Sequence, residues 1–126
     1  MDILRVLNHF VPNKLISFKE NSEETLSNVI VWNSELNEYE TDYPLPTQSE
    51  CEEYWNSTLK NEIYSKALRR KRDSILDKTD KYTVPDYPHA SEEAKQAWLD
   101  YRQALRDLPA NTTDPENPVW PTPPTL

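Results

Sequence analysis

No glycine occurs in this chain of 126 residues, which also carries a single cysteine, a single methionine and two histidines. Without glycine, any turn that needs a positive φ must use asparagine or aspartate, the residues that tolerate it next best. Glycine-dependent phosphate loops and dinucleotide fingerprints are excluded for the same reason. Cys51 has no partner for an internal disulfide, so nothing in the sequence asks for an oxidising compartment. His9 and His89 stand alone, without cysteines or paired acids at metal-ligand spacing, and no Ser/His/Asp or Cys/His set can be assembled. No metal, no cofactor and no enzyme activity are expected. No run approaches the roughly 20 apolar residues of a membrane span. The N-terminus, with an acid at Asp2 and a short apolar run to Val11, does not read as a signal peptide, so an intracellular protein is expected. The triplets Asn56-Ser57-Thr58 and Asn111-Thr112-Thr113 are then coincidental glycosylation sequons.

What is present is charge and proline. Apolar residues make up 36% of the chain and charged ones 29%, with 11 prolines and a net charge of −8. Residues 1–46 hold 3 basic and 8 acidic groups, residues 47–83 hold 8 and 7, and residues 84–126 hold 3 and 7. An acidic chain lacks the basic face that phosphate contacts require, which argues against nucleic-acid binding. The chain is long enough for one domain with a small core. It is expected to lean on a partner protein or on copies of itself.

Three regions are expected: a small β or mixed region at 1–46, a helical region at 47–109 and an extended arm at 110–126. In the first, Leu4, Val6, Leu7, Phe10 and Val11 form a short apolar segment that fits either a strand or a helical turn. Leu15–Phe18 and Val29–Trp32 read as strands, rich in β-branched and aromatic residues. Asn33–Asn37 is a turn candidate, and Tyr43-Pro44-Leu45-Pro46 imposes an extended exit. Thr47 with Glu50, or Ser49 with Glu52, fits a helix-starting capping box. From there no proline intervenes until Pro85, and apolar residues from Cys51 to Thr79 keep helical spacing. A helix of about 30 residues would be about 45 Å long, with a bend or break expected near Leu68, where the apolar face shifts. Pro85 and Pro88 mark a connector. Ser91 is the expected cap of a last helix bearing Ala94, Ala97, Trp98, Tyr101, Leu105 and Leu108 on one face, with Pro109 as its end. Beyond Pro109, five prolines between Pro115 and Pro124 surround Val119 and Trp120, a composition that favours an extended, polyproline-like arm. The fold class is α+β.

Two constellations bear on function. Arg72, Asp73, Asp77 and Asp80 end the long helix, and Arg102, Arg106 and Asp107 lie on the last one. If the helices pack antiparallel as a hairpin, these charges form a network in which arginine binds carboxylate through a bidentate fork. If they remain exposed, each pair is worth only about 0–1 kcal/mol. Arg69–Arg72 spread around a helix and read as a solvated face. Trp120, held between Pro118 and Pro121, either docks on a partner at little entropic cost or folds back beside Trp98 or Tyr101.

The order of several pieces is also specific: Arg72-Asp73 with Leu76, Thr79-Asp80, Trp98, then Tyr101-Arg102-Gln103-Ala104-Leu105-Arg106-Asp107, then Trp120-Pro121. Over about residues 66–124 the chain resembles the phage tail assembly chaperone family, whose domain often ends tail-fibre proteins. Tyr82 departs from that pattern, since the family often has tryptophan there. The resemblance implies a tailed-phage protein that binds tail or tail-fibre proteins in the host bacterial cytoplasm during assembly, without catalysis. Trp98, Tyr101, Arg102, Arg106 and Trp120 are the expected partner-binding residues, with Arg72, Asp73, Asp80 and Asp107 as a structural charge network. The alternative is a permanent virion component of the tail fibre or baseplate; a host-directed regulator that binds a basic partner rests on charge alone.

Overall fold

The computed structural model describes residues 1–125. The architecture is α+β, as expected, and the chain divides into two compact units, Met1–Lys60 and a second that begins at Asn61.

The first unit opens with helix α1 (Ile3–Phe10), which settles the ambiguous segment as helical. Asp2 caps it by accepting the Arg5 N–H at 3.2 Å. Ile3, Val6 and Leu7 then fall on one face at three- and four-residue steps and are buried. Strands β1 (Ile16–Phe18), β2 (Val29–Asn33) and β3 (Glu38–Glu40) form an antiparallel sheet in the order β1-β2-β3. Ile16 lies opposite Val31 and Phe18 opposite Val29, so the apolar positions share the face that packs on α1 and Cys51. On the other register, Trp32 faces Tyr39 with ring centroids 5.0 Å apart, edge to face.

Strand β3 has no sequence signal, because Glu-Tyr-Glu is poor strand material. It pairs because the turn before it is well made. Asn33 Oδ1 accepts the N–H groups of Glu35 (2.9 Å) and Leu36 (3.2 Å), and Asn33 Nδ2 donates to Glu40 Oε1 at 2.6 Å. Among the described residues the positive-φ positions are Asn13, Asn21 and Asn37, all asparagine, as the lack of glycine requires.

Helix α2 (Gln48–Tyr54) starts with the expected capping box at Thr47. Thr47 Oγ1 accepts the Glu50 N–H at 3.2 Å, and Glu50 Oε2 accepts the Thr47 N–H at 2.7 Å. The Thr47 backbone bond, then the Thr47 hydroxyl, hold the Glu50 carboxyl below its ordinary value of 4.5. A depressed folded-state pKa stabilises above the unfolded value and loses that contribution as pH falls through the folded one. Circular dichroism should therefore show wild type more helical than Glu50→Ala above pH 4.5, with the difference shrinking as pH falls below it. Next to Glu50, Cys51 is fully buried, and burial, then the charges of Glu50 and Glu52, push its thiol up.

The expected irregularity of the long helix occurs earlier than Leu68. A single π-helical turn, Trp55–Leu59, follows α2 and leads into α3 (Lys60–Thr79), which runs unbroken through Leu68. A π turn holds an extra residue and so re-phases the apolar face. Trp55 and Leu59 pack on the core of the first unit, while α3 buries only Leu68 and Thr79.

In the second unit, a 3₁₀ turn (Asp80–Thr83) and the connector lead to α4 (Glu92–Asn111). Ser91 caps α4 as expected, its Oγ accepting the Ala94 N–H at 3.1 Å. Pro109 does not end the helix, which continues to Asn111. Proline in the last turn removes one N–H, and Thr112 Oγ1 donates to the Leu108 carbonyl at 2.6 Å, closing the helix there. Ala94, Arg102, Leu105 and Leu108 form the buried stripe of α4.

Candidate partner-binding surface of the second unit

Arg102 is the only charged residue among the buried positions of the described chain, at 5% exposure. Its position on α4, three residues before Leu105, places it in the apolar stripe, where a bare charge would be expensive. It is instead hydrogen-bonded to the end of α3. One terminal nitrogen, Nη1, donates to the Leu76 carbonyl and to Thr79 Oγ1, both at 2.7 Å. The other, Nη2, pairs with Asp80 Oδ1 at 2.5 Å. Thr79 Oγ1 lies 2.9 Å from the Ile75 carbonyl and 3.2 Å from that of Leu76, so its proton points into the last turn of α3 and its lone pair faces Arg102. The Nε–H is buried without a partner among the described residues. The three bonds that are made offset that loss, which is about 1–3 kcal/mol for a buried donor.

The other charged residues of the expected network go elsewhere. Arg72 and Asp73 pair with each other, Arg72 Nη2 to Asp73 Oδ1 at 2.6 Å. Asp107 accepts from Gln103 on its own helix at 3.0 Å. Arg106 and Asp77 are exposed. The network therefore reduces to Arg102, Asp80, Thr79 and the Leu76 carbonyl. The last two were not singled out for it, although Thr79-Asp80 stood out as a sequence pair; a backbone carbonyl acceptor leaves no trace in sequence.

Around this clamp runs a row of half-buried rings. Tyr82 stacks on Trp98 with centroids 3.8 Å apart and planes at 13°. Tyr87 meets the edge of Tyr82 at 4.9 Å, and His89 packs on Tyr87 at 4.6 Å. On the far side Tyr101 meets Trp98 at 5.9 Å, edge to face. His89 Nε2 lies 2.9 Å from the Tyr82 carbonyl, which can only accept, so that nitrogen carries the proton. Tyr82, Tyr87 and His89 read as connector in the sequence. Their spacing gives no helical period, and only the fold brings them to Trp98.

Trp120 folds back onto its own unit, but not beside Trp98 or Tyr101. Lys71 Nζ sits over its indole, 4.5 Å from the ring centroid. Such a contact is worth about 0.5–1 kcal/mol at an exposed site. Among the described residues no group of three or more His, Cys, Asp and Glu could hold a metal ion, and no helix is long and apolar enough to cross a membrane.

Residues 65–125 match the family model described as phage tail assembly chaperone protein. Over these residues, just under half of the chain, the sequence is similar to the phage tail assembly chaperone family. The match begins four residues into the second compact unit, so the chaperone-family domain and the Arg102-clamped unit are the same body. The similarity supports a role in tail assembly. No curated protein and no solved structure matches the chain significantly. Within residues 65–125, Tyr82 stacks on Trp98.

Proposed function

We propose that the chain is a non-catalytic assembly factor that binds tail or tail-fibre proteins of a phage in the host bacterial cytoplasm, through the second unit. The observation that carries this reading is the coincidence of the family match with a compact unit whose one buried charge is consumed internally, by Arg102. In that unit Arg102 ties α4 to the end of α3, and the half-exposed rings and cations are left for a partner. Trp98, Tyr101 and Arg106 form a contact surface on α4, supported from inside by Arg102, and Trp120 is a separate contact on the arm. Aromatic and arginine side chains are the residue types that dominate binding energy at interfaces. The acidic chain selects against nucleic acid.

Co-expression with the tail and fibre proteins of the same phage, followed by affinity capture of this chain, tests the reading. A tail or fibre protein should co-purify with wild type and be lost with Tyr101→Ala combined with Arg106→Ala. Retention by that variant at wild-type yield would remove this surface. Mass spectrometry of purified particles separates a released chaperone from a resident part. Absence from particles is expected; a fixed stoichiometry against the capsid protein would instead make the chain a permanent component of the tail fibre or baseplate.

A further inference from the structure

The antiparallel sheet of the first unit is apolar on both faces. One face, with Ile16, Phe18, Val29 and Val31, packs on α1 and Cys51. The opposite face carries Leu15, Trp32 and Tyr39 in one row across the sheet. Trp32 lies opposite Tyr39, and its N–H donates to the Leu15 carbonyl at 2.8 Å, which continues the β1–β2 ladder to Leu15. Because strand side chains alternate between faces, these three and Ile30 stand on the side away from the core and outside it. Leu15 is 61% exposed and Tyr39 40%, while Trp32 and Ile30 are half-buried. Leu36, in the turn just beyond this row, is exposed as well. Single apolar residues on a surface need no explanation, but a contiguous row of leucine, tryptophan and tyrosine is the kind of surface that marks an interaction site.

The charge around this face selects its occupant. The first unit, Met1–Lys60, holds 11 acidic and 4 basic residues. Three of its cations are engaged locally: Arg5 with Asp2 at 3.2 Å, Lys19 with the Ser27 carbonyl at 3.4 Å, and Lys14 over the Tyr43 ring. Glu20, Glu23 and Glu24 in the β1–β2 connection, Glu35 in the β2–β3 turn, Glu38 on β3 and Asp42 just after it are exposed. Among the described residues none of these six is in an ion pair. We infer that the open face of the sheet is a docking site for a basic amphipathic helix of a partner protein. The helix covers Leu15, Trp32 and Tyr39 with its apolar stripe, and its flanking lysines or arginines meet the carboxylates of the sheet connections. An apolar sheet face is buried by an element laid on it, commonly a helix. Strand addition is disfavoured, because β1 and β3 are three residues each and glutamates flank Tyr39 on β3. A second copy in a symmetric face-to-face pair would set the same carboxylates against one another. The site lies outside residues 65–125, so it goes beyond the assembly reading and does not rest on it.

The test uses the full chain and a fluorescent helical peptide of about 18 residues, or five turns, built from leucine and lysine with the leucines on one face. Wild type should bind it, and Leu15→Ser combined with Tyr39→Ser should weaken binding about tenfold or more. Val119→Ser, which changes an exposed apolar side chain of the arm, should leave binding unchanged. A peptide of the same composition with its leucines scattered should bind about tenfold or more weakly, and a leucine–glutamate peptide with the same stripe should not bind. No binding to wild type overturns the proposal. So does equal binding of the striped and scattered peptides, or wild-type affinity in the double variant, since either reduces the interaction to attraction between opposite charges. Should the double variant fail to fold, ¹⁵N-labelled wild type decides the matter. The striped peptide should shift the Trp32 indole resonance, assigned with Trp32→Phe, while those of Trp98 and Trp120 stay in place, and an unmoved Trp32 resonance overturns the proposal. Sedimentation of the chain alone should show no self-association through this face. A concentration-dependent dimer that Leu15→Ser dissolves would give the face to a second copy and overturn the proposal.

Discussion

Arg102→Ala should lower the stability of the second unit by about 3 kcal/mol, the range for removing one partner of a buried, hydrogen-bonded charge. The substitution removes the long side chain that fills the stripe between Trp98 and Leu105. It also takes the Arg102 donor from the buried Thr79 hydroxyl, at 8% exposure, and from the Leu76 carbonyl. For a body of this size that is on the order of 15 °C in melting temperature, readable by calorimetry. Two further substitutions divide the effect. Arg102→Lys keeps the charge but replaces a planar fork with a point donor that cannot reach Leu76, Thr79 and Asp80 together, and should cost about 1–2 kcal/mol. Asp80→Asn should cost less than about 1 kcal/mol, because exposed ion pairs are worth little and the Asp80 side chain is 63% exposed. The order is diagnostic. Wild-type stability in Arg102→Lys would mean that the fork geometry is irrelevant. A loss in Asp80→Asn equal to that in Arg102→Ala would mean that the ion pair, not the buried acceptors, holds α4 to the end of α3.

Trp98→Ala should be the second large change, about 2–3 kcal/mol, somewhat below the range for fully buried aromatic truncations because the ring is only half-buried. Trp98 is the joint of the aromatic row. Its removal leaves Tyr82 without the ring stacked on it at 3.8 Å and Tyr101 without its edge contact at 5.9 Å. Tyr82 in turn holds Tyr87, so disorder should spread through the connector before α4. Trp98→Phe keeps a flat apolar face and should recover more than half of the loss. Leu99→Ala, one position away at 37% exposure, should stay within about 0.5 kcal/mol apart from its small area loss. Thermal denaturation compares the three, with near-ultraviolet circular dichroism following the packing of the rings. If Leu99→Ala and Trp98→Ala were equally damaging, the stacked row would not be what orders the connector.

The two results bear on function differently. Arg102 is inside the unit, so its loss should reduce tail-protein capture only as far as it unfolds the unit. Trp98 and Tyr101 lie at the surface as well, so Trp98→Phe can keep the fold and still alter capture. A variant with native melting behaviour and weakened capture would place the contact on the rings.

Local features were legible in the residues themselves. The capping box of Thr47 and Glu50, the Ser91 cap, strands β1 and β2, the extended exit at Pro44 and Pro46, and the use of asparagine at every positive φ all follow from chemistry within a few residues along the chain. The family resemblance was legible as well, because its elements recur in order from Arg72 to Pro121. Features that join distant positions were not. Strand β3 exists through an Asn33 turn and a neighbour strand, not through its own residues. The phase change of the long helix sits at Trp55–Leu59, where packing on the core of the first unit competes with regular α spacing. Pro109 could stay helical because Thr112 closes the last turn. Arg102 looked like one surface charge among several. Its sequence neighbours cannot show that α4 meets the end of α3, and the Leu76 carbonyl it binds belongs to the backbone and is invisible to composition. Periodicity and capping are read within one element, so sequence alone determines them; which charge is buried, which rings stack and where Trp120 lies depend on contacts between elements, and only the tertiary structure decides those.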